Sequence, residues 1–129
     1  MTAPLVLVVD DDPDIMEAIA DILETEGYRV ARARHGGEAL ARVAEERPAL
    51  ILLDLMMPVM DGPTFAAELR RQEGGDRIPV VVISADGNAE RAERVRAQAF
   101  LAKPFDIDAL LAQAARATGG PESAGASHP

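Results

Sequence analysis

The sequence predicts an α/β protein: one doubly wound, five-stranded parallel sheet with helices on both faces. Two observations carry this. Short apolar runs rich in Val, Ile and Leu recur along the 129 residues, and stretches of helical periodicity separate them. The runs are apolar almost throughout instead of alternating with polar residues, as in strands buried on both faces. A chain of this length suggests one domain, able to bury roughly two-thirds of its unfolded surface.

The first run, Leu5 to Val9, stops at Asp10-Asp11-Asp12. Pro13 suits a first helical position and Asp12 its N-cap. Ile15, Ile19, Ile22 and Leu23 then recur at helical spacing, and Gly27 is a fitting stop. Tyr28 to Ala33 is mixed in polarity and reads as an edge strand. Gly36 and Gly37 open a second helix that sets Ala39, Leu40, Val43 and Ala44 on one face, with Pro48 beyond its end.

Leu50 to Asp54 is the third strand. Asp61-Gly62-Pro63 starts a third helix carrying Phe65, Ala66 and Leu69, which Gly74-Gly75 ends. Ile78 to Ser84 is the fourth strand, Asn88 to about Gln98 a short charged helix, and Ala99 to Ala102 the fifth strand. Lys103-Pro104-Phe105 turns into a last helix with Ile107, Leu110, Leu111, Ala114 and Ala115 inward. Residues 1–118 form the expected domain, and Gly119 to Pro129 has the composition of a disordered tail.

Alternating strands and helices imply right-handed crossovers, which leave few topologies. Placing the second and fifth strands at the margins gives the order 2-1-3-4-5, as in flavodoxin-like folds.

The formal net charge is −9 and aromatics make up 3% of residues, which argues against direct nucleic-acid binding. Cysteine is absent and the histidines are His35 and His128, so a metal would take oxygen ligands and be a hard cation. No apolar run is long enough to span a bilayer. The start, "MTAPLVLVVDDD", has no basic segment before its apolar run, and a cytoplasmic protein is expected.

In open α/β sheets ligands bind beyond the carboxyl ends of the strands. The first strand delivers Asp10 and Asp11 there, the third Asp54, the fourth Ser84 and the fifth Lys103. Like charges at 4 Å repel by about 1 kcal/mol in water and about 4 kcal/mol at an effective dielectric of 20. Such a cluster persists by taking a divalent cation and a basic partner. Magnesium, one lysine and one hydroxyl are the parts that phosphoryl transfer needs, and a carboxylate can be the nucleophile.

These residues resemble the receiver domain of two-component response regulators of the chemotaxis-protein type. The resemblance runs from Leu5 to about Ala117, on "VLVVDDD", "LLDLMMPVMDG", "VVVISA" and "FLAKPF". It implies that Asp54 is the phosphoacceptor and that Asp10 and Asp11 are the acidic pair, Asp11 as the direct metal ligand and Asp10 directly or through water. It further implies that Met56 lends its backbone carbonyl to Mg2+ (or Mn2+), that Ser84 and Phe100 are the switch pair, and that Lys103 assists catalysis with a cis Lys103–Pro104 bond. The implied partners are a sensor histidine kinase or histidine phosphotransfer protein, and a downstream protein. Beyond catalysing its own phosphorylation and dephosphorylation, no enzyme activity is expected.

The segment from Ser84 to Phe100 is about one helical turn shorter than is usual in that family. Arg96 stands where that family often has glycine and Pro63 where it often has a larger apolar residue after "MDG", and Met56 and Asp86 match positions that in that family tune dephosphorylation. Asp12 is expected to serve only as a helix cap and His35 to be solvated, and for Phe100 a fixed place in the core is the alternative to switching. Glu90 to Arg96 reads as a solvated helical face with Glu90–Arg94 pairing. A receiver-like module working without phosphorylation is the alternative function. A dehalogenase-type phosphatase would want an acid where Met56 stands, and a nucleotide binder would want a phosphate cradle where "DDDPD" stands.

Overall fold

The computed structural model describes residues 3–54, 62–72, 74–84, 97–102 and 106–120. Its elements are β1 (Leu5–Val9), α1 (Pro13–Thr25), β2 (Arg29–Ala33), α2 (Gly36–Glu45), β3 (Leu50–Asp54), α3 (Gly62–Arg71), a 3-10 turn (Gly75–Arg77), β4 (Val80–Ser84), β5 (Ala99–Ala102) and α4 (Ile107–Thr118). Most of the helix expected over 88–98, with Asp86 and Arg96, lies outside the described residues, and so does the expected tail from residue 121.

The five strands form one sheet in the order β2-β1-β3-β4-β5, and every neighbouring pair is parallel. Successive side chains on a strand point to opposite faces, so each apolar run feeds two cores at once. Leu7, Val9, Ile51, Leu53, Val80 and Val82 meet Ala39 and Val43 of α2 and Phe65, Ala66 and Leu69 of α3. Val6, Val8, Leu50, Leu52, Val81 and Ile83 meet Met16, Ile19 and Leu23 of α1 and Leu110 and Ala114 of α4. Each Val, Leu, Ile, Met or Phe side chain among these, fully buried, contributes about 1.5–3 kcal/mol over leaving it in water, which is why continuous apolar strands demand helices on both sides.

Helix ends follow local chemistry. Asp12 caps α1, its side chain accepting from the Asp14 and Ile15 amides. Gly27, at φ 103°, turns the chain from α1 towards β2 in a conformation that a Cβ would strain. On the edge strand, Arg29 pairs with Glu46 at 2.7 Å and Arg32 with Glu17 at 2.7 Å, tying the polar positions of β2 to its neighbours.

Three expected inward residues face solvent instead. Ile107 is 51% exposed, and Ala44 and Ala115 are exposed as well. Each alanine follows directly after the last buried residue of its stripe, Val43 or Ala114, and one residue is about 100° around a helix. Ile107 is the first residue of α4, and helical side chains lean towards the N-terminus, which carries this one away from the stripe formed by Leu110 and Ala114. β4 also begins at Val80, not Ile78: the Ile78 amide closes the 3-10 turn onto Gly75, and Pro79 has no amide to give a ladder.

Candidate functional site

Strand register builds the acidic rim. Val9 pairs with Leu53, so Asp10 follows β1 directly beside Asp54, the last residue of β3. Both belong to the strand positions that face α1 and α4, two residues beyond Val8 and Leu52. Asp10 is 2% exposed and Asp54 6%, and these are the buried charged residues among those described. Asp11 is exposed, yet it offers an oxygen to the same point: one carboxylate oxygen each from Asp10, Asp11 and Asp54 lie within 4.8 Å of one another.

Backbone groups fix the first of the three. The Asp10 amide donates to the Ala33 carbonyl at 3.1 Å, tying the end of β1 to the end of β2. Asp10 Oδ1 accepts from the Asp12 amide at 2.9 Å. Asp12, the third acid of the run, turns away: its Oδ1 accepts from Asp14 N at 2.9 Å and Ile15 N at 3.3 Å. Two acids of the run therefore serve the rim and one serves the helix.

Three anionic oxygens at this spacing fit a hard divalent cation, which prefers oxygen donors and relieves their mutual repulsion. The donor set contains neither imidazole nor thiolate.

The remaining predicted residues divide. Ser84 ends β4 and pairs in register with Ala102, the last residue of β5, so the backbone brings it to the carboxyl end of the sheet. The Ser84 side chain, Met56, Lys103 and Pro104 lie outside the described residues. Phe100 pairs with Val82 and is half-buried against the core shared with α2 and α3.

His35 is not simply solvated, as expected from the sequence. It is the N-cap of α2, where its Nδ1 accepts from the Glu38 amide at 3.2 Å. Glu38 reaches back to the Arg34 amide at 3.0 Å. The signal was present in "HGGE", where an acceptor stands three residues before a glutamate in the manner of a capping box. Histidine rarely fills that place, and the pattern is easily passed over.

A family model described as response regulator receiver domain matches residues 6–115. Among curated proteins, the chain is 40% identical over 116 residues to the transcriptional regulatory protein PrrA of Mycobacterium tuberculosis, covering 88% of this chain and 49% of that protein. It is 37% identical over 115 residues to the DNA-binding dual master transcriptional regulator RpaA of Synechocystis, covering 85% and 47%. Among solved structures, the chemotaxis protein CheY4 of Vibrio cholerae superposes with a TM-score of 0.83 at 32% identity, covering 88% of this chain and 98% of that one. The receiver domain of NtrX from Brucella abortus gives 0.80 at 37% identity, with the same coverage of 88% and 98%. The chain thus spans about half the length of the curated relatives it matches. One of these is named as DNA-binding, so the expectation of no direct nucleic-acid contact finds no support among them.

Proposed function

We infer that this chain, which belongs to the receiver domains of two-component response regulators, is a phosphorylation-dependent signalling switch that accepts a phosphoryl group on Asp54. The observation that carries this reading is the meeting of the Asp10, Asp11 and Asp54 oxygens within 4.8 Å at the strand ends. The family consists of signalling modules rather than classical enzymes, and the chemistry proposed here is confined to the chain's own phosphorylation and dephosphorylation.

Asp11, Asp54 and the Met56 carbonyl, with Asp10 directly or through water, would hold Mg2+ or Mn2+. When bound, the ion neutralises phosphoryl oxygens as charge develops on them. An Asp54 oxygen attacks the phosphorus of a phosphohistidine on a sensor kinase or histidine phosphotransfer protein. The phosphorus–nitrogen bond breaks, its electrons stay with the imidazole, and the phosphoryl group becomes an acyl phosphate on Asp54. Lys103 contributes a positive charge and Ser84 a hydrogen bond to that group. Movement of Ser84 then makes room for Phe100 to turn inward, which alters the face read by a downstream protein. Water attack on the acyl phosphate resets the switch.

Residues 1–118 act as the receiver unit and the remainder as a tail, and the protein works in the cytoplasm. The acidic surface of this segment favours protein partners. DNA binding in a relative such as RpaA is the property of a protein of which this chain spans 47%.

The test is incubation with acetyl phosphate and Mg2+, read by intact mass. Wild type gains one phosphoryl group and Asp54→Asn gains none. An unmodified wild type would favour the alternative, a module that binds its partners without phosphorylation.

A further inference from the structure

We propose that Asp12 is a positioning residue for the acidic rim: by capping α1 it holds the backbone amide that fixes the Asp10 carboxylate beside Asp54. The proposal rests on the divalent-cation reading of that rim.

Asp12 is anchored to α1 at several points. Its side chain accepts from the Asp14 and Ile15 amides, at 2.9 and 3.3 Å, and its carbonyl accepts from the Met16 amide at 3.0 Å. Its backbone is extended, at φ −87° and ψ 110°, as an N-cap requires. The Asp12 side chain and carbonyl are therefore held by α1, leaving its amide displaced from them only by rotation at the Asp12 Cα, and α1 is set by Met16, Ile19 and Leu23 buried against the sheet. The amide of that same residue donates to Asp10 Oδ1 at 2.9 Å.

A continuous chain of contacts thus runs from helix packing, through the cap, to the orientation of one buried carboxylate. The Asp12 carboxylate itself is not among the three whose oxygens gather within 4.8 Å. Its negative charge lies at the positive end of the helix dipole. Its contribution to cation binding is consequently geometric, through an accepting oxygen, and does not depend on its charge. Groups that orient metal-binding side chains typically change metal affinity when lost, even though they never touch the ion.

The experiment titrates Mg2+ calorimetrically into the full chain, as wild type, Asp12→Ala, Asp12→Asn and Val43→Ala. Val43 packs against the sheet on the α2 side and is a control for lost stability without a change at the rim. Asp12→Ala is expected to weaken Mg2+ binding roughly tenfold, the lower end for loss of such an outer partner. Asp12→Asn keeps the cap acceptor and is expected to stay within about twofold of wild type. Val43→Ala is expected to bind like wild type despite a lower denaturation midpoint. Exchange of the backbone amide at position 12 should accelerate in the alanine variant and stay slow in the asparagine variant.

Unchanged affinity in Asp12→Ala, with wild type binding normally, would make the cap purely structural and overturn the proposal. Equal losses in Asp12→Asn and Asp12→Ala would assign the effect to charge and overturn it too. A wild type that takes up no Mg2+ at all would remove the cation reading itself, and the proposal with it.

Discussion

Asp10 and Asp54 stand side by side at the ends of two adjacent parallel strands, because Val9 and Leu53 are register partners. Both carboxylates are buried, and Asp11 brings a third within reach. Repulsion among them is expected to cost stability in metal-free buffer. Asp10→Asn should therefore raise metal-free stability by about 1 kcal/mol, a fraction of the like-charge repulsion of about 4 kcal/mol at 4 Å. Its amide oxygen can still accept from the Asp12 amide. Mg2+ at ten times its dissociation constant should stabilise wild type by about 1.4 kcal/mol and the variant by less. Urea unfolding with and without Mg2+ measures both, and a destabilised metal-free variant would contradict the repulsion.

The His35 cap predicts a stability order that charge alone would not. His35→Ala leaves the Glu38 amide without its acceptor and should cost about 1 kcal/mol, whereas His35→Asn should come close to wild type. Urea midpoints of the three proteins decide it.

The inward face of α4 gives a paired prediction. Leu110 is fully buried, and Leu110→Ala should cost about 2–5 kcal/mol. Ile107, 51% exposed, should tolerate alanine within about 0.5 kcal/mol. If the two substitutions cost the same, the helix is rotated from the position described.

The Arg29–Glu46 pair predicts a pH dependence. The hydrogen-bonded guanidinium of Arg29 holds the Glu46 carboxyl below its ordinary range. A carboxylate whose pKa is depressed by folding stabilises the protein above its unfolded pKa, and loses that effect as pH falls through the folded one. Arg29 is raised above an already high value, so it adds no pH dependence in the neutral or acid range. Glu46→Gln should therefore be less stable than wild type at neutral pH, and the gap should close in acid and shrink with added salt. A gap that widens as pH falls would reverse the sign and exclude this origin.

Among the described residues, the sequence by itself determined the strands and helices apart from the start of β4, the two-faced burial of the strands, the Asp12 cap and the strand order. Each of these is written in local spacing: apolar runs of strand length, an acid before a proline, a mixed-polarity strand that can stand only at an edge. It also marked Asp10, Asp11 and Asp54 as strand-end acids, because a carboxylate closing an apolar run is conspicuous wherever the fold sends it.

Only the tertiary structure decided what those positions meet. Register between β1 and β3, set by packing against helices distant in sequence, brings Asp10 beside Asp54 and lets the exposed Asp11 offer an oxygen to the same point. Helix rotation against the sheet decided that Ala44, Ala115 and Ile107 face water, since an apolar stripe two residues wide leaves its margin undetermined by about 100° per residue. Local pattern fixes what a segment becomes, but contact between segments is a property of packed surfaces, which no short window of sequence contains.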